Sequence, residues 1–127
     1  MKTLAVTLAA AALAPDDPDN HHFVASALEH LGRFEEAIAE LKPIAAKNPR
    51  DADTRERLAS LYEQAGKYRD AAAEYEGVLV IRPKSGSVRW SRENCYRKIG
   101  RVSEADKLAE EDRQMGAAKV DTDLKVA

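Results

Sequence analysis

Cysteine is almost missing from this chain of 127 residues. The single one, Cys95, excludes an internal disulfide framework and leaves no thiol cluster for zinc. Glycine and proline are also sparse, with 6 and 5 residues. Neither sign of charge dominates. A formal net charge of −2 gives no global case for nucleic acid. Beyond residue 14 no stretch is both long and apolar, so the sequence supports no membrane span. It also lacks a glycine-rich phosphate loop, an HExxH pair and a GxSxG elbow. What the chain does have is charge. Charged residues make up 33% of it, above the usual ~25%, beside 44% hydrophobic residues. That balance suits one surface-rich helical domain.

It also has a phrase written three times: LGRFEEA (31–37), AGKYRDA (65–71) and IGRVSEA (99–105). Gly32, Gly66 and Gly100 stand 34 residues apart. Pro15, Pro49 and Pro83 keep the same interval, as do Ala37, Ala71 and Ala105, then Phe34, Tyr68 and Val102, then Leu28, Tyr62 and Tyr96. One unit reads as helix, glycine turn, helix, proline stop. In 52–65, Leu58, Leu61, Tyr62 and Ala65 recur at helical spacing. Gly66 follows, where a left-handed residue closes a helix without a Cβ penalty. Tyr68 opens a second stripe through Ala71, Ala72, Tyr75, Val78, Leu79 and Ile81, and Pro83 ends it. Such a hairpin cannot bury its apolar faces alone, so neighbouring hairpins must stack.

The phrase resembles the tetratricopeptide repeat (TPR), whose 34-residue units carry glycine, aromatic, alanine and proline signposts in this order. The resemblance covers residues 1–116. It is strong in 18–49 and 52–83 and weaker in 86–116, where Arg92 and Glu93 replace a large apolar and a small residue. It implies an all-α, right-handed α-α superhelix of antiparallel helix pairs. The array is a half repeat at 1–15 and repeats at 18–49, 52–83 and 86–116, followed by a C-terminal tail at 117–127. It also implies a non-enzymatic protein-interaction scaffold, with no cofactor.

The two ends read less clearly. MKTLAVTLAAAALAP carries a lysine, an apolar run and Ala-Leu-Ala, as a secretory signal does. It is short for one, a proline would follow the cleavage point, and Pro15 keeps the repeat phase. A helix of a half repeat is therefore the favoured reading, and a cytoplasmic chain is favoured over an exported component of a bacterial envelope assembly. Leu4, Leu8 and Ala11 would then form an apolar face able to pair with a second copy as a homo-oligomer. Residues 117–127 show no strong period and read as frayed or as a short cap. Pro43 falls inside a second helix, where it removes a hydrogen bond and should bend the helix on the outer layer.

No residue set reads as catalytic or metal-binding. His21 and His22 point about 100° apart on a helix, and His30 lies two turns on. All three are far in sequence from Cys95, which reads as a buried structural thiol. The family geometry places the first helices along a concave groove suited to a peptide, a helix or another protein. Opposite the core stripe, those helices offer His22, Ser26 and Glu29, then Glu56, Ser60 and Glu63, then Trp90, Asn94, Arg97 and Lys98. Trp90 falls off the Val88–Ile99 stripe, and buried tryptophans and arginines dominate interface energies. Residues 84–101 hold six basic side chains against the single acid Glu93, whereas the earlier first-helix faces are acidic. A partner with an acidic end near Arg97 and Lys98 follows as the expectation. The positions with which one subclass grips chaperone tails correspond to His22, Ser26, Arg57, Ser87 and Ser91. Only one of them is basic, which argues against that ligand.

Overall fold

Six helices and no strand occur among the residues described by the computed structural model, 17–126, with side chains described through Met115. They are α1 (Pro18–His30), α2 (Phe34–Lys47), α3 (Ala52–Gln64), α4 (Tyr68–Ile81), α5 (Gly86–Lys98) and α6 (Val102–Val126). The half repeat at 1–15, its Leu4–Leu8–Ala11 face and the signal-like reading lie outside the described residues.

Local chemistry sets each boundary. Asp17 caps α1 by accepting from the Asp19 amide at 3.0 Å, and Asp51 caps α3 by accepting from the Thr54 amide at 3.2 Å. Ser85 stands at the start of α5 without a side-chain cap. The first helices all end in the same way. Gly32, Gly66 and Gly100 have φ of 74°, 77° and 84°, the left-handed region that a Cβ would strain. The residue after each glycine donates back to a carbonyl five residues earlier: Arg33 to Leu28, Lys67 to Tyr62 and Arg101 to Tyr96, each at 2.8 Å. One turn geometry, used three times, therefore sets the angle of every hairpin.

Each helix packs on the next in order, α1 on α2 through α5 on α6. The apolar stripes meet in one core. Val24, Leu28, Ile38, Leu41 and Ile44 come from the first repeat, Leu58, Leu61, Tyr62, Tyr75 and Val78 from the second, and Val88 and Cys95 from the third. Ala37, Ala71 and Ala105 are fully buried, which lets paired helices approach closely. A cation near the start of a first helix also reaches back across each inter-repeat loop. Arg55 Nε donates to the Pro49 carbonyl at 2.6 Å, and Arg89 donates to the Pro83 carbonyl.

α2 stays helical on both sides of Pro43, which is exposed on the outer layer. One feature differs from the sequence expectations: the stretch after residue 116, read as frayed or as a short cap, continues the last helix to Val126.

Candidate functional site

The first-helix face of repeats 1 and 2 is a closed hydrogen-bond network. Arg57 on α3 reaches α1, donating to His22 Nδ1 at 3.1 Å and to the Ser26 hydroxyl. A guanidinium only donates, so Nδ1 accepts and the imidazole proton sits on Nε2, 3.1 Å from the Thr54 hydroxyl oxygen. Thr54 in turn donates to Asp51 Oδ2 at 2.7 Å. Burial, with Arg57 beside it, holds the His22 pKa below the ordinary imidazole value. The Thr54 bonds lower the Asp51 carboxyl pKa. One turn further on, Gln64 donates to Glu29 Oε2 at 2.7 Å. Sequence reasoning named Arg57 only among the chaperone-tail positions and did not name Thr54, which is buried beside the N-cap Asp51.

Several groove candidates are thus engaged inside the fold. His22, Ser26 and Glu29 tie α1 to α3. Glu56 lies 4.0 Å from Arg82, which pairs with Asp53 at 2.9 Å. Glu63, a partly buried groove candidate, is engaged as well. Its carboxylate accepts from the Tyr75 hydroxyl and lies against the Cys95 thiol, because both donors are buried and need an acceptor. Burial, with Glu63 alongside, pushes the thiol up to about 12, so Cys95 stays protonated and inert. Arg97 pairs with Asp106 at 2.8 Å. That pair is exposed and weak, and a ligand can exchange with it. Ser60 and Asn94 are half-buried and Lys98 is exposed.

Trp90 has a different setting, being 65% exposed at the open end of the array. It lines a cleft of about 620 Å³ between α5 and α6, together with Lys84, Arg89, Glu93, Asp112 and Met115. Arg89 Nη1 lies 3.1 Å from Asp112 Oδ1 and 3.0 Å from the Met115 sulfur. The Glu93 and Asp112 carboxyls face each other here, and burial together with Asp112 raises the Glu93 pKa to about 7. The residues that precede these by 34 and 68 positions explain the cleft. Glu93 stands where Ala59 and Ala25 are buried, Asp112 where Val78 and Ile44 are, and Arg92 where Leu58 and Val24 are. In the first two repeats this space is filled by α3 and then α5.

Among the described residues, no group of three His, Cys, Asp or Glu side chains is placed to hold a metal ion. No helix there is long and apolar enough to cross a membrane.

The tetratricopeptide repeat profile matches residues 30–89, which take in the α3 side of the network and two of the glycine turns. Residues 30–89 therefore carry tetratricopeptide repeats. Structures similar to this TPR array include MamA of AMB-1, with a TM-score of 0.78 at 21% identity over 91% of this chain and 68% of that one. MamA of MSR-1 matches with a TM-score of 0.78 at 20% identity over 91% of this chain and 67% of that one. A further MamA of AMB-1 gives 0.72 at 23% identity, and there the chain spans 61% of the neighbour's length. At these identities the likeness establishes the all-α repeat fold. Comparison with curated protein sequences finds no match at a significant level. TPR arrays are in general non-enzymatic scaffolds whose stacked hairpins present extended binding surfaces.

Proposed function

We propose that the array is a protein-interaction scaffold that receives a segment of a partner protein across its first-helix face and anchors it at Trp90. The observation that carries this reading is the exposed indole in the α5–α6 cleft. A large aromatic ring held in water beside a concavity is the usual form of an interface hot spot. The network of His22, Ser26, Arg57 and Thr54 supports it by keeping the neighbouring repeats rigid, which lowers the entropic cost of binding. The acidic-end version of the reading rests mainly on Lys98 and Lys84, since Arg97 already has Asp106.

The test is affinity capture from the native host with the full chain, comparing wild type with Trp90→Ala. The indole is mostly in solvent, so the variant should keep its helical circular dichroism. It should lose captured partner by about tenfold or more, as hot-spot truncations do. Equal recovery by the two proteins refutes the anchoring role of Trp90, and no partner from either refutes the scaffold reading.

A further inference from the structure

The scaffold reading leaves the partner's chemistry open, and the cleft that holds Trp90 narrows it. The shape is that of a missing helix. In repeats 1 and 2 the space between the first and second helix is filled by α3 and α5. The third copy of that space is the cleft between α5 and α6. Its walls are not those of the filled copies. Where alanine, valine or isoleucine would receive another identical repeat, Glu93 and Asp112 stand instead. Arg89 neutralises Asp112, and Arg113 is held by Glu110 at 2.5 Å in an exposed pair that a ligand carboxylate can exchange with, so the rim cations are Lys84 and, by exchange, Arg113, beside the apolar walls Trp90 and Met115. Charge along the chain agrees. Residues 17–83 carry 9 basic and 13 acidic side chains, and residues 84–115 carry 8 basic and 6 acidic.

We propose that the α5–α6 cleft takes an acidic amphipathic helix of a partner protein, its apolar side chain against Trp90 and Met115 and its carboxylates toward Lys84 and Arg113. This rests on the scaffold reading and adds a regulator to it. Glu93, its carboxyl raised to about 7 where it faces Asp112, changes charge near neutrality. It is faced by Arg89, Arg92 and Arg97 from α5, by Asp112 and Arg113 from α6, and the same cleft is bordered by Lys84 from the α4–α5 connection. When Glu93 is neutral the cleft is more positive. An acidic helix therefore binds more tightly as pH falls, and its binding raises the affinity of Glu93 for its proton.

The chain has one tryptophan, so Trp90 emission reports the cleft directly. The probes are two synthetic amphipathic helices as long as α3, 13 residues, one of leucine and glutamate and one of leucine and lysine. The leucine–glutamate helix should give a saturable blue shift, and the leucine–lysine helix none. Its affinity should be about threefold higher at about pH 6.5 than at about pH 8, the scale of one partly exposed charge. Glu93→Gln should flatten that dependence, and Lys84→Glu with Arg113→Glu should weaken binding. Equal response to both helices, no response to the acidic one, or a pH dependence that survives in Glu93→Gln overturns the proposal. So does emission that shifts with protein concentration alone, because a second copy would then fill the cleft. If wild type still captures a partner while the acidic helix fails, the scaffold reading stands and only the acidic-helix occupant falls.

Discussion

Val24, Ala25 and Ile44 lie under α3, all buried. At the same three places in the last repeat stand Arg92, Glu93 and Asp112, partly in water. The two regions share a backbone: helices of similar register, the same glycine turn and the same five-residue back-bond. They differ in what covers them. A covered face must be apolar because a charge there loses its hydration. The uncovered face can carry charge, and with it a groove, an exposed tryptophan and a carboxyl that titrates near neutrality. Within this array the hairpin geometry is therefore set by the turns, while the outward face of each unit is set by its neighbour.

The strongest way to break this comparison is to write the end face into the interior. Ala59→Glu places a carboxylate at a site of 0% exposure. Unfolding free energy should fall by about 4 kcal/mol or more. Thermal denaturation reads it, and a melting temperature within a few degrees of wild type contradicts the account. Gly66→Ala comes next. Its φ of 77° is the problem rather than crowding, since an added Cβ meets nothing within 4 Å. A loss of about 1–2 kcal/mol is expected from the left-handed backbone alone, measurable by urea titration. The reverse exchange, Arg92→Leu with Glu93→Ala and Asp112→Ile, writes the interior into the end face. Monomer stability should change by about 1 kcal/mol or less, but the new apolar patch should make the protein self-associate. Light scattering that shows the same mass for both proteins removes that expectation.

The smallest effects are in pH, and the two regions should respond with opposite sign. The folded state lowers the His22 pKa below its ordinary 6.5. Its contribution is present when the ring is neutral and is lost as pH falls below about 6.5, where the unfolded chain binds the proton more readily. The folded state raises Glu93 from 4.5 to about 7. Its contribution is complete below the unfolded value and is lost as pH rises through 7. His22→Gln can still accept from Arg57 and should remove only the acid-side loss. Glu93→Gln should remove only the loss that builds as pH rises from 4.5 to about 7. Melting curves across that range for the three proteins test both, and parallel curves contradict both.

Much of the architecture was legible because it is punctuated. Glycine, proline and alanine at a fixed interval name the turns, the stops and the close helix crossings, and each of these is local chemistry. α6 escaped the reading because nothing interrupts it. No proline follows Gly116, and Ala117, Ala118 and Lys119 are good helix formers, so a weak apolar period was no barrier to further turns. The candidate site was harder. Periodicity placed Glu63 on the outer face, yet its partners Tyr75 and Cys95 lie 12 and 32 residues away in sequence and become neighbours only when the repeats stack. Arg57 could be named as a groove position, but its bonds to His22 and Ser26 on the preceding repeat could not be read. Trp90 could be read because its exposure follows from its place on the helix, whereas the cleft beside it depends on Asp112 and Met115 of the following helix.

The arginines that reach back to Pro49 and Pro83 give the array a mechanical character. Each inter-repeat link is latched to the first turn of the helix it leads into, and every helix leans only on those beside it. Tension applied between the two ends should not strain the molecule evenly. It should release one latch at a time, giving a sawtooth of near-equal steps, so the array would lengthen under load like a ratchet strap rather than a spring.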